Sequence, residues 1–337
     1  MRAFLAKKGV SLSAKVYFVD SLSYMALGLF SSLIIGLIIK TVGQQLQVNF
    51  FIEMGSLAMS LMGAAIGGAI AYGLKAPPLV MFSAIISGAA GASLGGPAGS
   101  YVSALLSVEI GKIVSKETKI DIIITPFLTI FIGFLTATFI GPNIEFLMKG
   151  FGEIVMWATE QRPIIMGMLV ALLMGLALTA PISSAAIALM LDLHGIAAGA
   201  ATIGCSAQMI GFATSSYREN GIGGWIAQGL GTSMLQVANI VKNPRILLPP
   251  TLAGVLLAPL VTVTFEMTNN SAGAGMGTSG LVGQIMTFSE MGFSRAVLVK
   301  VLLLHIISPG IISLILSEWM RKKGWIQFGD MKINTGG

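Results

Sequence analysis

The sequence predicts an all-α polytopic membrane protein, and three observations carry that prediction. Of the 337 residues, 55% are hydrophobic and only 10% are charged, and the mean hydropathy is +0.87. In soluble domains about a quarter of all residues are charged, and each charged side chain placed in hydrocarbon costs several kcal/mol. The 42 glycines favour closely packed or broken helices. The apolar runs are continuous, whereas the strands of a membrane barrel alternate, so helices are predicted.

About ten transmembrane helices follow from the apolar runs, since a helix needs about 20 residues to cross hydrocarbon. The predicted spans are 19–40, 53–74, 78–93, 99–114, 120–141, 163–181, 195–214, 222–241, 246–265 and 296–317. The third and fourth are short and flank the sequence SLGGPAG. The sixth is interrupted at Ala180–Pro181, because proline removes a backbone donor and pushes its predecessor out of the helix. Glycine-rich residues 269–290 predict a re-entrant hairpin.

The basic residues predict the orientation of these spans, because Lys and Arg collect in cytoplasmic segments of membrane proteins. With the N-terminus inside, the cytoplasmic segments hold most cations, including Arg321, Lys322 and Lys323. The outer segments hold Lys149, Arg162, Arg218 and Arg295. We therefore expect a multi-pass membrane protein with both termini cytoplasmic. The same bias accounts for the net charge of +6 without a nucleic-acid partner.

An amphipathic segment divides the chain into two halves. Residues 142–162 alternate apolar and charged positions at helical spacing, which is typical of a helix lying in the membrane interface. This linker helix would join an N-terminal half (1–141) to a C-terminal half (163–325), followed by a cytoplasmic tail (326–337).

The two halves resemble each other in sequence, which predicts an internal parallel repeat. Residues 86–96 match 196–206, residues 99–114 match 224–239, and residues 122–128 match 246–252. The first repeat would cover about 50–135 and the second about 165–262. The alternative is a chance alignment of helices that are rich in Gly and Ala.

Polar side chains gather in the second half. Gln228, Thr232, Gln236 and Asn239 recur at helical spacing along one predicted span. They line either a hydrated pathway for a polar solute or an interhelical contact in which the amides bond to one another. Just before them, Arg218, Glu219 and Asn220 precede several glycines and form either a solute site or an ordinary solvated loop. The predicted substrate-binding set is Gln208, Ser215, Arg218, Glu219, Asn220, Gln228, Thr232, Gln236, Asn239, Thr278 and Ser279.

Catalytic and metal chemistry find little support in the sequence. One cysteine, Cys205, excludes an internal disulfide, and two histidines leave no zinc cluster. The stretch GAGMGTSG (273–280) imitates a phosphate-binding loop but lacks its lysine. We predict no catalytic residues, no metal and no cofactor.

Three segments carry a resemblance to a known family. Residues 26–43, 223–254 and 273–284 resemble the enzyme IIC permeases of the bacterial sugar phosphotransferase system, in the stand-alone branch that includes perfringolysin-regulator-like membrane proteins. The resemblance implies a homodimer of about ten spans in the bacterial inner membrane, with hairpins that close on the solute, and separate IIA and IIB subunits. The GITE-like motif of glucose-type members is absent, and Glu219 is the residue that would play a comparable role.

The resulting hypothesis is a permease that translocates a small polar solute, a sugar or an organic anion, by alternating access of a substrate-bearing domain. Phosphoryl transfer would belong to the separate subunits, so the chain itself would not be an enzyme. The alternative hypothesis is a membrane sensor or regulator that keeps the same fold and transports little.

Overall fold

The computed structural model describes residues 2–10 and 13–333, and within those ranges the chain is helical, without strands. The first part of the chain contains Arg2–Lys7, Val16–Leu46, Asn49–Ser60, Met62–Gly73, Pro78–Val114 and Asp121–Thr159. The second part contains Pro163–Thr179, Ser184–Met190, Gly195–Ser215, Tyr217–Ile226, Ala227–Gly231, Ser233–Gln236, Val237–Lys242, Pro244–Thr264, Ser271–Ala274, Ser279–Leu281, Val282–Met291 and Arg295–Lys322.

Fewer helices could cross a membrane than the ten that the sequence predicts. Within residues 2–10 and 13–333, six helices are long and apolar enough, or seven if the bent pair Asn49–Ser60 and Met62–Gly73 counts as one span. Ten crossings and the internal repeat are therefore not confirmed. The difference has three sources: residues 78–114 form one helix with a kink where two crossings are predicted, residues 222–241 are broken into short helices, and helix Pro163–Thr179 has only 17 residues.

The chain forms two compact units, of which the first covers residues 1–147. Its helix Pro78–Val114 reverses at Gly95 and Gly96, whose backbone angles are not helical. A Cβ at Gly111 would lie 2.8 Å from Val80, near the other end of the same helix. The two short predicted runs on either side of SLGGPAG are therefore the two arms of one hairpin.

Close helix packing in this unit depends on Gly67. A Cβ built there would stand 2.2 Å from the carbonyl oxygen of Ala84, whereas one at Gly68 would meet only the Ile85 side chain at 3.4 Å. We expect Gly67→Ala to destabilise the protein by about 1–3 kcal/mol, the usual cost of overpacking. Gly68→Ala is the matched control and should be nearly neutral. Thermal unfolding in detergent measures both, and equal melting temperatures would contradict the close approach.

Helix Asp121–Thr159 differs from the predicted boundary of the linker. It continues through Pro142 without a break, so residues 142–159 do not form a separate helix. The predicted domain limits, including the interfacial position of this segment, stay a prediction, and residues 334–337 of the predicted tail lie outside the described ranges.

The second unit, residues 148–333, is built around the central helix Gly195–Ser215. Helix Pro244–Thr264 runs antiparallel to it: Gly211 faces Pro250 while Gly199 faces Met267. Helix Arg295–Lys322 runs parallel to it, since Ile203 packs in one cluster with Val301, Gly211 approaches Ser313 and the Ser215 carbonyl accepts from Arg321. We name the two ends of this unit after the central helix, the amino end near Gly195 and the carboxyl end near Ser215.

This parallel arrangement corrects one sequence prediction. Arg218 pairs with Glu318 at 3.2 Å and Glu219 with Arg321 at 2.8 Å. Arg218 and the cations Arg321–Lys323 therefore lie at the same end, whereas the sequence placed them on opposite sides of the membrane. The error came from counting residues 222–241 as a crossing.

Residues 217–243 instead form a re-entrant hairpin, which we call hairpin one. The side chains of Asn220 in its first arm and Gln236 in its second arm both donate to the carbonyl of Met331. Both arms thus return to the carboxyl end, and the tip lies near Gly229. Gly221, near the start of the first arm, has φ 59° and ψ −161°. Gly96 has nearly the same backbone angles, φ 58° and ψ −149°. The parallel repeat stays a prediction, with this similarity in its favour.

A second hairpin, residues 269–291 or hairpin two, enters from the amino end. The Asn269 N–H donates to Gly195 O at 3.1 Å, and the Thr268 N–H contacts the Met291 sulfur at 3.4 Å, so both arms begin there. Helix Pro163–Thr179 also stops inside the unit, at the predicted interruption before Pro181, and Ser184–Met190 follows as a short half-helix.

Candidate functional site

The tips of the two hairpins meet inside the second unit. The Thr278 hydroxyl donates to the carbonyl of Gly229, in the π-helical turn Ala227–Gly231 of hairpin one. Thr278 is fully buried, and its hydroxyl also lies 3.5 Å from the Met209 sulfur, midway along the central helix. Two interrupted helices that enter from opposite ends are a typical way to build a solute site within a membrane.

Local sequence shapes both tips. In hairpin two the side-chain oxygen of Asn270 accepts the Gly273 N–H and caps the start of the short helix Ser271–Ala274. Gly277 has φ +53° and packs on the central helix, where a Cβ would lie 2.7 Å from a Cys205 backbone atom. In hairpin one the Thr232 hydroxyl accepts the Met234 N–H at 3.1 Å and begins the returning arm.

A buried polar cluster lies beside the tip of hairpin two. The amide nitrogen of Gln284 lies 3.3 Å from the Ser206 hydroxyl and 3.3 Å from Nδ1 of His305. Three buried side-chain atoms on hairpin two and on His305 have no hydrogen-bond partner: the Ser279 hydroxyl, Oε1 of Gln284 and Nε2 of His305. Buried polar groups are almost always paired, so these three atoms call for an explanation.

Gln208 belongs to a separate hydrogen-bonded group near the interrupted helix Pro163–Thr179. Its carboxamide bonds to Thr179 at 3.2 Å and to Thr251 at 2.7 Å, and Thr179 also bonds to Ser233 of hairpin one. These contacts join three helices, and the structure therefore gives Gln208 a clear structural role.

The predicted amide stripe is present and its members are paired. Gln236 donates to Gln228 at 2.8 Å, and Asn239 donates to Gln236 at 2.8 Å. The same amides donate to the backbone carbonyls of Met331 and Lys332. These side chains are buried. The donors of Gln236 and Asn239 face Met331, Lys332 and one another, whereas Gln228 donates to Ser216 and to the Gly224 carbonyl.

The charged patch contains two unlike ion pairs. Arg218 is 65% exposed and its partner Glu318 is 30% exposed, so the pair lies in the range where ion pairs contribute little. The Glu219 side chain is fully buried against Arg321, which is 11% exposed and also donates to Ser215 O. Ser215 and Arg218 line an open, mainly apolar groove of about 460 Å³ beside Trp225 and Leu314.

Comparison with known families decides the assignment. The family described as "Phosphotransferase system, EIIC" matches residues 19–333. The chain belongs to the enzyme IIC family. No curated protein and no solved structure matches it. Enzyme IIC is the membrane permease component of the phosphotransferase system, and it works with separate IIA and IIB components. The family and the apolar helices together indicate a multi-pass protein of the inner membrane.

Sequence reasoning missed the polar cluster of this enzyme IIC. Ser206, Gln284 and His305 were outside the predicted set, because each is a lone polar residue in an apolar run. One signal was available, since a histidine in an apolar span needs partners. The structure places His305 in a π-helical segment, Leu302–Ile307, and such irregular turns are frequent at functional sites.

Among the residues that the structure describes, no group of three His, Cys, Asp or Glu side chains is placed to hold a metal ion. The predicted homodimer and the individual substrate contacts of this enzyme IIC stay predictions.

Proposed function

We propose that this enzyme IIC translocates a small polar solute, a sugar or an organic anion, and that the solute binds where the two hairpin tips meet. The observation that carries the proposal is the set of three unpartnered buried atoms on Ser279, Gln284 and His305. A solute with several hydroxyls offers the donors and acceptors that those atoms lack. Interrupted helices that enter from opposite ends also support it, because either hairpin can open while the other stays in place.

The proposed mechanism is alternating access with residues 148–333 as the substrate-bearing domain. Withdrawal of hairpin one would open the site to the carboxyl end, and withdrawal of hairpin two would open it to the amino end. Thr278 and Ser279 would contact the solute from hairpin two, with Gln228 and Thr232 on hairpin one. Gln236, Asn239, Asn220 and Glu219 would join after their present partners are displaced.

The charges of the second unit support an orientation for this mechanism. The carboxyl end carries Arg218, Lys242, Arg245, Arg321, Lys322 and Lys323, whereas the amino end carries Arg162, Arg295 and Lys300. By the positive-inside rule the carboxyl end faces the cytoplasm. This orientation places Arg218 inside.

Cysteine labelling in intact cells tests the orientation. Cysteines introduced as Arg218→Cys and Lys322→Cys should react with an impermeant maleimide only after the membrane is opened, because both positions are exposed at the carboxyl end. Arg295→Cys, exposed at the amino end, is the control and should react in intact cells. Labelling of Arg218→Cys and Lys322→Cys from opposite sides would contradict the parallel helices themselves.

A pair of serine variants tests the solute site. Ser279 and Ser313 are both buried, and both hydroxyls lack a partner, but only Ser279 lies in hairpin two. Removing an unpaired buried hydroxyl is neutral or stabilising for the fold. We expect Ser279→Ala to weaken solute binding by about tenfold, the effect of one lost hydrogen bond to a ligand, with no loss of melting temperature. Ser313→Ala should leave binding unchanged.

The measurement is a thermal-shift screen of sugars and organic anions on the purified protein, followed by uptake of the best ligand into proteoliposomes. If the wild-type protein bound no solute, the permease proposal would fail. Equal binding by Ser279→Ala and the wild type would remove the hairpin junction as the site.

A further inference from the structure

Residues 324–333, which we call the strap, lie across both arms of hairpin one at the carboxyl end. On the first arm, the Asn220 amide donates to Met331 O at 2.8 Å and its carbonyl accepts the Ile333 N–H at 2.9 Å. On the second arm, Gln236 donates to the same Met331 carbonyl and Asn239 donates to Lys332 O, each at 2.9 Å. One short backbone segment thus ties the two arms together.

Apolar side chains of the strap pack into the interior of the second unit. Ile326 and Met331 are buried in a cluster with Phe212 of the central helix and Ile246 of its antiparallel neighbour. The buried members of this cluster outside the strap, including Phe212 and Ile246, lie on helices that do not belong to hairpin one, and Ile240 of hairpin one packs against its edge. Each hydrogen bond from the hairpin to the strap is therefore a bond from the hairpin to the rigid part of the unit.

Polar contacts hold the strap at its middle as well. The Gly329 N–H donates to Glu219 at 3.3 Å, and Asp330 accepts from Asn243 at 2.7 Å. Hairpin one must break these bonds if it is to leave the carboxyl end. The outer face of the hairpin has no comparable cover among the described residues, since Tyr217, Ile222 and Ile226 are exposed.

We propose that the strap is a latch that holds hairpin one closed, so that the carboxyl end of the site opens only after the strap has left the amide stripe. The side-chain amides of Gln236 and Asn239 then donate to water or solute instead of to the strap carbonyls. The predicted amide stripe thus holds the strap in the closed state and faces the solute in the open state. The latch rests on the proposed function in one respect only, the assignment of hairpin one as a moving part.

The test measures exposure of hairpin one and needs no knowledge of the solute. In a full-length protein with Cys205→Ala, a reporter cysteine replaces Ser233, which is fully buried near the hairpin tip. Met331→Asp, a change confined to the strap, puts a charge into its apolar seat. We expect maleimide labelling of the reporter in membranes to accelerate by about tenfold or more, because a lost anchor shifts a local opening equilibrium by that order. Asn220→Ala, which removes two hydrogen bonds, should act in the same direction.

A second reporter separates unlatching from unfolding. Ser279→Cys in hairpin two is equally buried, and its labelling should not change with Met331→Asp. If labelling of both reporter cysteines accelerated, Met331→Asp would have unfolded the unit, and Asn220→Ala would then be the variant that tests the latch. Unchanged labelling of the Ser233→Cys reporter in Asn220→Ala would overturn the latch. The permease proposal would survive that result, because it depends on solute binding at hairpin two.

A disulfide checks the position of the strap independently. Asn243→Cys with Asp330→Cys, in the Cys205→Ala background, joins two side chains that are now within hydrogen-bond distance. Mild oxidation should form the disulfide and slow maleimide labelling of the Ser233→Cys reporter, near the tip of hairpin one, below the rate in the uncrosslinked protein. Failure of the pair to crosslink in membranes would also overturn the latch.

Discussion

Arg321→Ala is expected to destabilise the protein by about 3–5 kcal/mol, the cost of removing one partner from a buried ion pair. The change leaves the buried Glu219 carboxylate without its cation, which now lies 2.8 Å away. One Glu219 oxygen already lacks a hydrogen-bond partner, so little remains to stabilise the isolated charge. Thermal or denaturant unfolding of the purified protein in detergent measures the loss.

The neighbouring pair supplies the matched control. Arg218 and Glu318 are 3.2 Å apart, and the Arg218 side chain is 65% exposed, so Arg218→Ala should cost no more than about 1 kcal/mol. In the double variant Glu219→Leu/Arg321→Leu, stability should recover part of the loss, because no uncompensated charge remains buried. An Arg321→Ala protein as stable as Arg218→Ala would show that the Glu219 site is hydrated.

Gly277→Ala is expected to prevent hairpin two from reaching its position on the central helix, with a loss of several kcal/mol. Two costs combine there. An alanine at φ +53° is strained by about 1–2 kcal/mol, and its Cβ would stand 2.7 Å from a backbone carbon of Cys205. Backbone cannot give way cheaply, since the central helix is packed on several sides. Melting temperature and solute binding should both fall.

Gly324→Ala separates the two costs. Gly324 has φ +71° and no heavy atom within 4 Å of the Cβ position, so an alanine there bears the strain without the collision. Its melting temperature should fall by only the amount expected for the backbone strain. If the two variants behaved alike, the contact between Gly277 and the central helix would contribute nothing.

The helical membrane class was predictable because hydrophobicity is a property of composition. The interruption before Pro181 and the turn at Gly95–Gly96 were also predictable, since proline and glycine act on the local backbone. The path of residues 217–243 was not. An apolar run of that length reads as a crossing, and only the contacts of Asn220 and Gln236 with one carbonyl show that it returns.

The positions of some predicted site residues follow from local sequence, although their contact with a solute stays a prediction. Thr278 and Ser279 lie at the tip of hairpin two, in a glycine-rich stretch of the kind that breaks a helix. Gln236 and Asn239 lie in one buried stripe, as their helical spacing predicts, but spacing alone does not say which backbone they face. Ser206, Gln284 and His305 come from three distant positions in the chain, and no local pattern connects them.

Gly277 rests directly on Cys205, and its absent side chain would come within 2.9 Å of the Cys205 Cβ. The sulfur is buried and donates to Met174 O, and the chain has one cysteine. Thiol reagents therefore have a single target, buried beneath hairpin two, which in the proposed mechanism withdraws to open the site to the amino end. Unmodified protein, with no engineered probe, can report that movement through the reactivity of its own sulfhydryl.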